Sequence, residues 1–163
     1  MIIDLKISNY SLRSIVNDFR NVRPSFANML RPLLQTLKHI VLNIQVDSID
    51  FDHLFGIPSE LEDMCTKNII ETIDIQIVVL MDARCRRGDD WDRFDEVLTT
   101  PGWFSLEKVS LVIEVNGYYD TTNELELALQ ELREAQFPQL SSSKTILFHF
   151  DVISSYFVGG TVL

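Results

Sequence analysis

The stretch Ile73-Asp74-Ile75-Gln76-Ile77 decides the fold. Its β-branched residues alternate with polar ones at a period of two, the pattern of a strand with one face buried and the other wet. The same pattern recurs as Ile3-x-Leu5-x-Ile7, Ile40-x-Leu42-x-Ile44, Val109-x-Leu111-x-Ile113 and Ile146-x-Phe148-x-Phe150, with successive starts 37, 33, 36 and 37 residues apart. A near-constant period of this size is the mark of a stacked-repeat scaffold. Strands are therefore expected near 2–8, 38–46, 71–79, 107–115 and 145–152.

Segments with helical spacing lie between the strands. Leu12, Ile15, Val16 and Phe19 follow Ser11 as a possible cap, which predicts a helix near 12–20. Phe26, Met29, Leu30 and Leu33 behind Ser25 predict one near 26–36, interrupted at Pro32. Ser59-x-x-Glu62 reads as a capping box opening a helix near 60–67, with Leu61, Met64 and Cys65 on one face and an end near Asn68. Asp89 and Asp90, followed by Trp91, Phe94, Val97 and Leu98, predict a helix near 90–99 that stops at Thr100-Pro101-Gly102. Thr121-x-x-Glu124, then Leu125, Ala128, Leu129 and Leu132, predicts a helix near 123–135 that stops before Pro138.

Strands joined by helical crossovers run parallel, and such crossovers are right-handed in nearly all cases. The residues between the apolar positions choose between a doubly wound sheet, covered by helices on both faces, and a solenoid that leaves one strand face open to water. They form the lateral rows Asp4, Val41, Asp74, Ser110, Leu147; Lys6, Asn43, Gln76, Val112, His149; and Ser8, Gln45, Val78, Glu114, Asp151. Eleven of these fifteen are polar or charged, too many to bury unpaired beneath a second helical layer. The sequence thus predicts one domain over 1–163: an α/β, right-handed solenoid of about five parallel strands, with helices on the convex side and the polar rows on an open, concave face.

The pattern Leu37-x-x-Ile40-x-Leu42-x-Ile44, echoed by Ile70-x-x-Ile73-x-Ile75-x-Ile77 and Leu106-x-x-Val109-x-Leu111-x-Ile113, resembles the strand consensus of leucine-rich repeats, in longer units. More narrowly, the run from Trp91 to Leu98, then Phe104-Ser105-Leu106-Glu107-Lys108-Val109 and Phe137-Pro138-Gln139-Leu140 before Ile146-Leu147, is similar to the C-terminal repeat region of F-box proteins abundant in mushroom-forming fungi. The likeness covers residues 25 to 152. It implies a horseshoe that selects substrates for a ubiquitin ligase, here read as the recognition region without its F-box.

Composition narrows the partners. Fourteen basic residues against 24 acidic ones give a net charge of -10, which repels phosphate backbones and anionic lipid. The cluster Arg84, Arg86 and Arg87 reads as a solvated turn. Cys65 and Cys85 lack metal or redox spacing, and charged residues interrupt both apolar ends, so an intracellular chain, cytoplasmic or nuclear, with no membrane segment is expected. No phosphate-binding glycine motif, nucleophile elbow or metal-ligand spacing occurs, and Asp89, Asp90 and Asp92 read as helix-start carboxylates. No catalytic residue, metal or cofactor is therefore assigned.

His39, His53 and His149 fall in different units; only His149 is expected on the open face, beside Glu114 and Asp151. Trp91 is expected in the core and Trp103 is left open. The expected partner-binding residues are Asp4, Lys6, Asn43, Gln45, Asp74, Gln76, Glu114, His149 and Asp151, an acidic face suited to a basic protein. The alternative is an oligomerising or remnant repeat domain that associates through uncapped ends, with the apolar tail 152–163 pairing at a sheet edge.

Overall fold

The computed structural model describes residues 2–8, 25–46, 54, 56–66, 68–80, 89–117, 137–158 and 161–162. The helices expected near 12–20 and 123–135, the arginine cluster, His53 and Cys85 lie outside them. The elements are β1 (Ile2–Ser8), α1 (Phe26–Leu30) with a 3-10 turn at Arg31–Leu33, β2 (His39–Val46), α2 (Ile57–Met64), β3 (Thr72–Leu80), α3 (Asp89–Thr99), β4 (Lys108–Gly117), α4 (Pro138–Ser142), β5 (Leu147–Val158) and β6 (Thr161–Val162). The chain is α/β. Its strands form one sheet in chain order, parallel from β1 to β5, and β6 turns back antiparallel on Phe157 and Val158 of β5.

Alternation sets which face is covered. Ile40, Leu42, Ile73, Ile75, Ile77, Val109, Leu111 and Ile113 are all buried, in one core with Leu61, Met64, Trp91, Phe94 and Leu98 from the helices. Residues of the opposite phase are half-buried or exposed, apart from the small Ser110. Among the described residues, then, the helices cover one face of the sheet.

Burying a row of Ile and Leu stabilises each strand by about 1.5–3 kcal/mol per side chain. Its amides are satisfied by the neighbouring strand. The ladder begins in step from unit to unit: Thr72 N–H donates to Lys38 O at 3.1 Å, Lys108 N–H to Glu71 O at 3.1 Å, and Leu147 N–H to Glu107 O at 2.7 Å.

That last bond corrects the expected register of the fifth strand. Ser110 lies opposite His149 rather than Leu147, Val112 opposite Asp151, and Glu114 opposite Ile153. The whole strand is displaced by two residues, which preserves its face. The buried trio is Phe148, Phe150 and Val152, and Ile146 packs at its margin. Phe137 selects this arrangement, since its ring lies 5.3 Å from Phe148 and 5.7 Å from Phe150, and also packs on Trp91 and Phe94.

Helix starts depart from expectation in an informative way. Ser25 caps α1 as expected, its Oγ accepting from Asn28 N–H at 3.1 Å, and the α-helix gives way to the 3-10 turn around Pro32. Met29 is 57% exposed rather than buried, so the inner face of α1 is Phe26, Ala27 and Leu30, continued by Leu34 and Leu37.

The capping box at Ser59 does not form. Helix α2 begins three residues earlier than expected, after Gly56 in the left-handed region (φ 78°), with Pro58 in its first turn. Ser59 and Glu62 instead receive the two guanidinium nitrogens of Arg93 from α3, at 3.1 and 2.9 Å.

Helix α4 starts at Pro138, where the sequence predicts a stop. Proline is favoured in the first helical turn because its missing N–H has no intrahelical partner there.

Carboxylates from neighbouring units tie the helices together. Glu60 of α2 accepts from Ser25 Oγ and Ala27 N–H at the start of α1, and Asp90 of α3 accepts from Gly56 N–H before α2. Asp95 of α3 accepts from Gln139 and Leu140 N–H at the start of α4. The helix order thus matches the strand order.

Candidate protein-binding face

The uncovered face is built from four lateral rows. From the strand starts inward they run His39, Thr72, Lys108, Leu147; Val41, Asp74, Ser110, His149; Asn43, Gln76, Val112, Asp151; and Gln45, Val78, Glu114, Ile153. Adjacent strands stand about 4.8 Å apart, so each row offers a fixed spacing of side chains. Asp4 is level with Val41 and Lys6 with Asn43 in the pairing of β1 and β2, and their side chains lie outside the described residues.

Val41, Asn43, Asp74, Gln76, Ser110 and Val112 surround an open depression of about 300 Å³ at the middle of the sheet. Three of the expected residues, Asn43, Asp74 and Gln76, meet there. Gln45, Glu114, His149 and Asp151 lie on the same face but around it, toward the strand ends and the β5 edge.

Two exposed contacts bias this surface toward one arrangement. Gln76 Nε2 donates to Glu114 Oε2 at 3.1 Å, and Lys108 Nζ lies 3.4 Å from Asp74 Oδ1. Fixing side chains in advance lowers the ordering cost of binding. The Asp74 pair also revises the expected electrostatics, because an ammonium group lies against one of the carboxylates.

The two-residue displacement of β5 moves His149, expected level with Val112 and one row from Glu114, a further row away. Its lateral neighbour is Ser110, and Asp151 is the next residue on its own strand facing the same way.

In β2, β3 and β4 the first row lies one position before the apolar triplet, outside the rows that the triplets themselves define. Extending the alternation by one position would have found His39, Thr72 and Lys108. His39 Nδ1 lies 2.6 Å from Thr72 Oγ1, a cross-strand pair at the rim. Beside it Lys38 and Glu71 form an ion pair that raises the lysine pKa and lowers that of the glutamate, chiefly through their hydrogen bond.

A hydroxyl next to an imidazole suggests a nucleophile and its base, but acyl transfer also needs free backbone N–H donors aimed at an oxyanion. Thr72 N–H is engaged by Lys38 O, and β2 and β3 are bonded on both sides. Among the described residues, no group of three or more His, Cys, Asp or Glu is placed to hold a metal ion, and no helix is long and apolar enough to cross a membrane.

Trp103 is buried, its indole N–H donating to Val97 O at 3.0 Å, so it closes the end of α3 and is not a surface anchor. Trp91 is fully buried, as the helical stripe predicts.

Comparison of the chain with known protein families, with curated proteins and with solved structures finds no match.

Proposed function

We propose that the chain is a non-catalytic scaffold, a right-handed, leucine-rich-repeat-like solenoid whose open sheet face binds another protein. The observation that supports this most is the polar, laterally registered surface around Asn43, Asp74 and Gln76, which no described helix covers. A buried face explains the fold, whereas a row of half-exposed polar residues on central strands serves no packing purpose. Glu114 and Asp151, with Asp74 shared by Lys108, favour a partner carrying basic groups. On the resemblance to fungal F-box proteins, the chain would be an intracellular substrate-recognition region of a ubiquitin-ligase component, with nucleic acid and membranes excluded as partners by its net charge of -10.

A peptide-display selection on the folded chain, counter-selected against Asp74→Lys/Glu114→Lys, tests the reading. Enrichment of Lys- and Arg-containing peptides that lose binding to the double variant is expected. Peptides that bind both proteins equally would remove the face from consideration.

A further inference from the structure

We propose that the outer edge of β5 joins the same edge of a second copy of this chain, antiparallel and centred on Phe150. Among the described residues no strand pairs with this edge between Leu147 and Tyr156, and β6 closes only the end beyond it, at Phe157 and Val158. The segment Leu147-Phe148-His149-Phe150-Asp151-Val152-Ile153 carries no proline or lysine to blunt it.

The segment is self-complementary. A two-fold axis through Phe150 sets Leu147 opposite Ile153 and His149 opposite Asp151, twice each. Leu147 and Ile153 are the exposed large apolar side chains of this strand, at 68% and 46%, and both lie on the open face with the His and the Asp between them. An imidazole then meets a carboxylate, and an aliphatic chain meets an aliphatic chain.

Hydrogen-bond phase agrees. Leu147 N–H points inward to Glu107 O, so His149, Asp151 and Ile153 also face β4, and the amides of Phe148, Phe150 and Val152 point outward. Antiparallel pairing about Phe150 makes Phe150 with Phe150, and Phe148 with Val152, the hydrogen-bonded pairs. His149 with Asp151 and Leu147 with Ile153 fall at the closer, non-hydrogen-bonded positions, where side chains interact most.

One contact shows the edge in its unpaired state. Val152 N–H, an outward donor, is bonded at 2.9 Å by the carboxylate of its own neighbour Asp151. On pairing, this N–H passes to Phe148 O of the second copy and Asp151 turns to the imidazole of the second copy's His149.

Sedimentation velocity of the full chain, from micromolar to near-millimolar concentration and at moderate ionic strength to screen the charge, tests this. A monomer–dimer equilibrium is expected. His149→Asp places like charges together twice and weakens the dimer roughly tenfold, and His149→Asp/Asp151→His restores it, because the reversed pair still meets across the axis. Circular dichroism confirms that each variant is folded. A monomer at every concentration, a dimer indifferent to His149→Asp, failure of the double variant to restore association, or growth beyond two copies would each overturn the proposal.

Discussion

The carboxylate of Asp95 accepts the backbone N–H of Leu140 at 2.8 Å, so the start of α4 is closed by a side chain 45 positions earlier in the sequence. A second bond, from Gln139 N–H at 2.9 Å, uses the other oxygen. Asp95→Ala leaves both donors unpaired at a site where Leu140 is buried, and should cost about 1–3 kcal/mol, read from urea unfolding.

Acidity should act on the same residue. Burial raises the Asp95 pKa, and the two amide bonds offset only part of that rise. The folded state therefore binds this proton more readily than the unfolded state. The contribution of Asp95 is most favourable below the ordinary aspartate value and is lost as pH rises through its raised folded value. Relative to Asp95→Asn, the wild-type chain should gain stability on mild acidification from neutral pH. A constant difference between the two would contradict the assignment. Glu71 acts in the opposite sense, since its lowered pKa withdraws stability as pH falls, but it is common to both proteins and cancels.

Asn68 should be the most sensitive polar residue of the described core. Its Nδ2 donates to Met64 O and Cys65 O, each at 2.9 Å, and its Oδ1 accepts from Ile70 N–H at 3.1 Å. One amide thus ends α2 and aligns the approach to β3. Asn68→Asp keeps the shape but turns an acceptor toward two carbonyl oxygens, so a loss of about 2–3 kcal/mol is expected at neutral pH, partly recovered when the new carboxyl is protonated. Thermal melts at two pH values check both statements.

Gly102 is required by space and not by backbone angle. A Cβ there would lie 2.7 Å from Cys65 O and 3.0 Å from Cys65 Sγ. Gly102→Ala should destabilise by about 1–3 kcal/mol. Adding Cys65→Ala should give little relief, because the nearer obstacle is main chain; full rescue in a chemical melt would show that the sulfur is the obstacle.

The two phases of β3 should respond in opposite ways. Ile75 is 1% exposed, and Ile75→Asp puts a carboxylate into the core, which should unfold the chain. Asp74→Lys with Glu114→Lys breaks one exposed ion pair and one exposed hydrogen bond, worth together about 1 kcal/mol or less. Melting temperature separates them: collapse in the first variant with near-wild-type melting in the second is expected.

Strand phase was legible because alternation is local; Ile73, Ile75 and Ile77 announce their face without reference to any other strand. Register in β5 was not, because Ile146, Phe148, Phe150 and Val152 share one phase and a slide of two residues leaves every side chain on its own face. Phe137 breaks that tie through contacts that no local pattern displays. The start of α4 was hidden for a related reason, since Pro138 reads equally as a stop or a first turn and its cap comes from Asp95. At Ser59 and Glu62 the motif was present, but Arg93 from the neighbouring helix took both of its side chains. For the open face, the sequence gathered Asn43, Asp74 and Gln76 correctly and missed Lys108, whose pairing with Asp74 depends on register across two strands.

The strand ladder, in which each member pairs with those just before and after it in the chain, makes length a free variable. No distant segment must thread between two established neighbours, so excising or duplicating one whole strand-and-helix module leaves the remaining junctions intact. Such a chain can change the breadth of its surface by recombination of its gene while keeping the chemistry of each remaining strand.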